Sequence, residues 1–237
     1  MQTLRDGSVI EDYRLDRLQG FDARSRKFPV VRELQMAPMI SKIWSCDYTL
    51  DQKKEGACVG FAIAHELLSE PTRCLASQVN DKYAKEVIYW GAQKIDQFEG
   101  GAYPGAKPVQ HGTTVLAGAK TVKALGWIDR FEWSFGMTDL ILGIGYKGPA
   151  VLGIAWYDSM YKPDGDSFVW PSKGEIVGGH AILAIGVNVE EEYFILKNSW
   201  GHSWGRFGTC KIKFDELKPL MRNNGEAMFF AGRKSRI

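Results

Sequence analysis

The sequence predicts an α+β protein of two lobes, with helices first and strands second. Three observations carry this. Residues 58–69 form an apolar run that Glu70-Pro71 stops. Residues 79–96 alternate charged and apolar positions. From Pro149 onward, short β-branched runs are separated by Gly, Asn and acidic turns.

Residues 1–45 are charged and irregular, with Arg24, Arg26, Lys27 and Pro29 in a loop-like stretch, and read as an extended arm. Within it, Asp22 to Val31 is expected to run along the body of the domain. The run 58–69 is apolar on nearly every face, which marks a buried helix. Residues 79–96, with Val79, Tyr83, Val87 and Ile88, suit an amphipathic surface helix. Six Gly and Pro residues between 100 and 112 mark a long loop. Thr114 to Leu125 reads as another helix, closed by Gly126. Residues 150–156, 180–187 and 193–197 read as strands. The domain proper is placed at 46–237, mainly helical over about 46–135 and mainly β over about 136–230.

At 237 residues, 45% hydrophobic and 24% charged, the chain can build a sizeable core. A formal charge of +2 gives no reason to expect nucleic acid or an acidic membrane as a partner. The basic residues at 233–236 read as a frayed tail. No stretch reaches the roughly 18 apolar residues of a membrane span, and the polar start shows no secretory signal. Cys46, Cys58, Cys74 and Cys210 are scattered without a CxxC pair. Zinc is therefore not expected, reduced thiols are, and a cytoplasmic location follows.

The chemistry centres on Cys58, which follows Gly56-Ala57 and opens the apolar helix. A helix start and a neighbouring imidazolium both lower a thiol's pKa, so Cys58 is expected to be the reactive thiol of the four. Among four histidines, His180 has the best setting for a base, because it follows Gly178-Gly179 and opens an apolar strand. His65 lies seven residues along the same helix as Cys58, roughly 10 Å away. His111 sits in the Gly/Pro loop and His202 in a tight turn. An imidazole base needs its other nitrogen held. Asn198, at the end of the next strand, can hold it, with Trp200 and Trp204 shielding the bond. An oxyanion needs preorganised donors; the Gln52 amide and the Cys58 backbone N–H can supply them.

These residues resemble the papain family of cysteine peptidases. Residues 52–62 are similar to its Gln-Gly-x-Cys-Gly-x-Cys-Trp-x-Phe-Ala motif, 180–186 to His-Ala-Val-x-x-Val-Gly, and 193–208 to Tyr-Trp-x-x-Lys-Asn-Ser-Trp-Gly-x-x-Trp-Gly-x-x-Gly. The resemblance runs from about residue 45 to 230 and is to compact bacterial or bacteriophage members. It implies nucleophile Cys58, base His180, orienting Asn198 and oxyanion donor Gln52. It also implies a cleft between a helical lobe and an antiparallel β-barrel-like lobe. Substrate-binding positions follow at Gly112, Thr113, Gly153, Gly179, Ala181 and Trp200. Small walls at Gly153 and Ala181, with Val115 nearby, lead to an expected apolar preference for the second side chain before the scissile bond. Glu226 is the carboxylate to examine if that preference proves basic. The chain departs from the motifs at Val59, where the family has an aromatic, and at Glu55, where it has a cysteine. Gln110-His111-Gly112-Thr113 stands for its Cys-x-Gly-Gly loop, so both cysteines of the usual disulfide are missing.

The expected function is hydrolysis of peptide bonds through a Cys58 thioacyl-enzyme, by a monomer acting on peptide or protein, without metal or cofactor. A transpeptidase or amidase with the same triad, and a non-catalytic peptide-binding module, are the alternatives.

Overall fold

The computed structural model describes residues 1–20, 22–30, 34 and 36–234. Its strands are β1 (Gln2–Thr3), β2 (Val9–Ile10), β3 (Arg17–Leu18), β4 (Lys42–Ile43), β5 (Thr113–Thr114), β6 (Arg130–Ser134), β7 (Ala150–Tyr157), β8 (Ile176–Asn188), β9 (Tyr193–Lys197), β10 (Thr209–Lys213) and β11 (Glu226–Ala231). Its helices are α1 (Cys58–Leu67), α2 (Trp90–Ile95), α3 (Val115–Ala124), α4 (Met137–Tyr146) and α5 (Phe214–Arg222). A π-helical stretch, Tyr83–Tyr89, runs directly into α2.

A large antiparallel sheet dominates, in the order β10-β9-β8-β7-β11-β6. β4 takes over the edge of β8 where β7 begins, pairing Ile43 with Gly186 next to the Ala150–Ala184 pair. The antiparallel lobe expected is there, and among the described residues its sheet is an open path, not a closed barrel.

Successive side chains on a strand point to opposite faces, and here both faces are covered. In β8, Ala181, Leu183 and Ile185 pack with α1 and α3, while Ile182 and Ala184 pack with α4 and α5. In β11, Met228 and Phe230 join the first core and Ala227 and Phe229 the second. Burial on both faces explains why these strands read as unbroken apolar runs.

α1 is buried along its whole length, as its composition requires. Gly60 lets it press against the π-helical stretch; a Cβ there would lie 2.2 Å from the Ala84 carbonyl. α3 starts on Thr114, whose hydroxyl caps Ala117 N–H at 3.0 Å, and Gly126 at φ +76° follows its end. α4 and α5 lie in the part expected to be mainly β. Both are short amphipathic or apolar segments whose helicity rests on packing against the second core.

Of the arm, Phe28, Pro29 and Val30 run beside Trp133 of β6, with Val30 N–H bonded to the Trp133 carbonyl at 2.9 Å; Val31 lies outside the described residues. At the other end, Arg233 is not frayed. Its guanidinium is buried against the Glu66 carboxylate, and residues 235–237 lie outside the described set.

Candidate active site

Cys58 is the first residue of α1 and is fully buried. Ala57 before it offers no side-chain cap. The cap comes from the arm: Asp16 Oδ1 accepts from the Cys58 N–H at 3.3 Å and from its thiol at 3.1 Å. A helix start carries unpaired N–H groups and partial positive charge, so a carboxylate is favoured there. On its other side Sγ accepts the Ala181 N–H at 3.3 Å, which ties β8 to the helix.

His180 lies beside Ala181 in β8 and is fully buried. Its Nε2 lies 2.9 Å from Asn198 Oδ1. An amide oxygen only accepts, so the proton is on Nε2 and Nδ1 is the basic nitrogen. Asn198 Oδ1 is itself held by the Ser199 N–H at 2.8 Å. Trp156 and Trp200 pack on the ring, with centroids 4.7 and 5.1 Å away.

Burial pulls His180 down to about 4, against the opposing pull of the Asn198 bond. Burial, and then the Asp16 charge, push the Cys58 thiol well up. Thiol and ring are therefore both neutral in the closed cleft. This overturns the expectation of a thiol lowered by its helix start. The helix start is present, but the arm excludes water and adds a negative charge.

Gln52 is buried, and its amide NH2 donates to the Glu55 carbonyl at 2.7 Å and to the Arg14 carbonyl at 3.3 Å. Its Oε1 accepts from Ser199 Oγ at 2.6 Å. Both expected oxyanion donors are thus occupied by the arm, the Cys58 N–H by Asp16 and the Gln52 amide by Arg14.

Residues 14–18 lie along the cleft. The Arg14 guanidinium sits 4.0 Å over the Trp200 ring. Asp16 pairs with Gly179 of β8, and β3 pairs in parallel with β5 through Arg17–Thr113 and Leu18–Thr114. The segment therefore bridges the two walls. Arg17 reaches Glu226 at 2.8 Å beside Gly153, and Leu18 lies against Gly112. Most positions expected to bind substrate thus hold this segment. Gly112 is a correction in detail. Its N–H donates to Tyr89 Oη at 2.8 Å and its carbonyl accepts from Arg5 and Gln93, so its backbone is already committed inside the protein. Thr113 is the residue that pairs with the arm. Val115 is in the core.

Three contributors were not foreseen. Asp16 is one. Tyr89 is another: its hydroxyl donates to Asp16 Oδ2 at 2.5 Å and accepts from Gln93 Nε2 at 3.0 Å. Arg5 is the third. It donates to the carbonyls of Gln93, Phe98, Glu99 and Gly112 and to the Asp96 carboxylate, anchoring the start of the arm. The signal in the sequence was Leu15 and Leu18 amid charged residues; both are fully buried. The other histidines lie elsewhere. His65 is buried and neutral, accepting the Leu50 N–H at 2.9 Å. His111 bridges Leu4, and the His202 ring lies tilted against Phe207. Among the described residues, no disulfide joins Cys46, Cys58, Cys74 or Cys210.

The family model described as "Papain family cysteine protease" matches residues 82–224. The chain is 34% identical over 79 residues to cathepsin B-like cysteine proteinase 3 of Caenorhabditis elegans, covering 32% of this chain and 21% of that protein. The match thus spans about a fifth of that relative's length. Among solved structures, xylellain, a cysteine protease from Xylella fastidiosa, superposes with a TM-score of 0.68 at 15% identity, over 96% of this chain and 99% of that one. Digestive procathepsin L 3 of the Tenebrio molitor larval midgut gives 0.54 at 13% identity, over 94% and 75%. At such identities these two likenesses speak for the fold.

Proposed function

The chain belongs to the papain family of cysteine proteases, and on that premise we propose that it is a cysteine peptidase whose cleft is closed by residues 14–18 of its own arm. The observation that carries the reading is the Cys58 thiol bonded to the residue next to His180, whose ring Asn198 holds at 2.9 Å.

With the arm withdrawn, water and a peptide enter. His180 Nδ1 takes the Sγ proton as sulfur attacks the carbonyl carbon. The Cys58 N–H and the Gln52 amide, freed from Asp16 and Arg14, hold the resulting oxyanion. His180 passes its proton to the leaving amine as the C–N bond breaks, leaving a thioester. Water then gives a proton to His180 and its oxygen to the acyl carbon; the C–S bond breaks, releasing the acid, and the proton returns from His180 to sulfur. In the closed form, Asp16 Oδ1 takes the place of that oxyanion. Among the described residues no carbonyl of the arm is bonded to Sγ, so the segment lies there as a stopper.

The absence of disulfides among the described cysteines supports a reducing, cytoplasmic setting, and among the described residues no helix is long and apolar enough to cross a membrane. We take the working unit to be a monomer acting on peptide or protein. The test compares the full chain with Asp16→Ala on fluorogenic peptides and on an epoxysuccinyl peptide that alkylates active-site thiols. The variant should hydrolyse peptide and carry the label on Cys58. No turnover and no label in either form would end the reading.

A further inference from the structure

Tyr89 ends the π-helical stretch, packs against α1 at Gly60 and is buried on the helical wall of the cleft. Its hydroxyl oxygen accepts from the Gly112 N–H at 2.8 Å and from Gln93 Nε2 at 3.0 Å. A phenol oxygen has two lone pairs and one proton, so only the proton is left to place. It goes to Asp16 Oδ2 at 2.5 Å. The two donors belong to the body of the domain, and the acceptor belongs to the arm. Gly56 leaves the room for it: a Cβ there would lie 2.9 Å from Asp16 Oδ2 and 2.8 Å from the Tyr13 carbonyl, both atoms of the arm. When the arm withdraws, Tyr89 keeps its two donors and loses its acceptor. A covered donor without a partner is costly, so the recess between Gly56 and Tyr89 suits an oxygen.

We infer that Tyr89 sets the preference for the substrate residue whose carbonyl Cys58 attacks, and that the recess takes a side chain ending in an acceptor oxygen, asparagine or aspartate. The inference rests on the peptidase reading. One oxygen of Asp16 stands on the Cys58 N–H, where the oxyanion forms, and the other reaches Tyr89. The recess thus lies one carboxylate's width from the oxyanion. The leaving amine must meet His180 on β8, the opposite wall, so the residue beside Tyr89 is the one that keeps the attacked carbonyl. A leucine of the same size would cover the hydroxyl and leave its proton without an acceptor. A site built to bond a polar group rejects the analogue that lacks it.

The test uses the full chain carrying Asp16→Ala, so that the recess is empty. Fluorogenic peptide amides differing only in the residue before the scissile bond are compared as Asn, Asp and Leu, side chains of one size. Asn or Asp should exceed Leu by tenfold or more in kcat/KM. Adding Tyr89→Phe should bring the ratio near one. Gly56→Ala, which fills the recess and leaves the hydroxyl in place, should also lower the ratio, and it decides the question if Tyr89→Phe does not fold. Leu equal to both Asn and Asp with Tyr89 intact would overturn the inference and leave the peptidase reading standing. So would a Tyr89→Phe loss of equal size for all the peptides, which would make the hydroxyl a donor to the oxyanion instead. If no peptide is turned over, binding of the same peptides to the Asp16→Ala chain, read by fluorescence anisotropy, separates the two readings. Tenfold tighter binding of the Asn or Asp peptide than of Leu would keep the recess and remove the peptidase; equal binding of all would remove both.

Discussion

Residues 15–18 and residues 58–67 are equally hidden from solvent and built in opposite ways. The helix is mostly apolar and is held by close packing on the sheet and on α3. The arm segment carries Asp16 and Arg17, and each charge has a dedicated partner across the cleft. Apolar packing is spread over many contacts and comes apart only with the fold. In the arm segment Leu15 and Leu18 are packed as well, but the bonds of its two charges are exchanged for water when it leaves, so their net hold is modest. The difference suits the two to separate tasks, the helix to stay and the arm to go.

Opposite consequences of mutation are the sharpest way to break this comparison. Cys58→Ala on an Asp16→Ala background should lower peptide hydrolysis by about 10⁴-fold or more, because loss of a nucleophile removes the covalent route. Circular dichroism should be unchanged. Residual hydrolysis within tenfold of the Cys58 form would move the nucleophile elsewhere.

Asp16→Ala should act the other way. Removing the carboxylate takes away one cause of the raised thiol and frees the Cys58 N–H. Iodoacetamide labelling of Cys58 at pH 7 should speed up by roughly 10- to 100-fold, since each pKa unit is a tenfold change in thiolate fraction. Cys210, pushed up by burial alone, should stay unlabelled. An unchanged Cys58 rate, followed by peptide mass mapping, would show that the arm does not guard the thiol.

Tyr89→Phe is a milder probe of the same hold. Its hydroxyl joins Asp16, Gly112 and Gln93, and deleting it leaves three groups short of a partner. A loss of about 1–3 kcal/mol in arm closure is expected, seen as labelling faster than in the intact chain and slower than in Asp16→Ala. Labelling as slow as in the intact chain would remove Tyr89 from the closure.

The smallest effect concerns the rigid side. His65, on the buried helix, is pulled down to about 3 by burial. The folded state then binds fewer protons than the unfolded chain between about 3 and 6.5. Its contribution is complete above the unfolded value and is lost as pH falls through that window. His180, at about 4, acts in the same sense. Asp16 and Glu66 are raised by burial and act in the opposite sense, gaining as pH falls. His65→Gln keeps an acceptor for Leu50 without titrating. The stability lost between pH 7 and 4.5 in urea unfolding should shrink by about 2 kcal/mol. An unchanged loss would mean that His65 titrates in the fold much as it does outside it.

The sequence by itself determined the elements that carry a local signature. The apolar run at 58–69 became α1, the run at 114–125 became α3, and the three strand runs became β7, β8 and β9 within a few residues. Cys58, His180 and Asn198 were legible because their motifs set turn, helix start and strand end within a dozen residues each. α4 and α5 were not read, although α5 repeats Phe214, Leu217 and Leu220 at helical spacing; both are short and are completed by the core they pack against. Only the tertiary structure decided where the arm lies. Asp16 meets Cys58 from 42 positions away, and Arg17 meets Glu226 from 209 positions away. It also decided the protonation of the thiol, because the water and charges around a side chain belong to the assembled cleft. A local pattern encodes backbone conformation and which face is apolar; the partner of a buried charge is chosen by whatever the fold brings beside it.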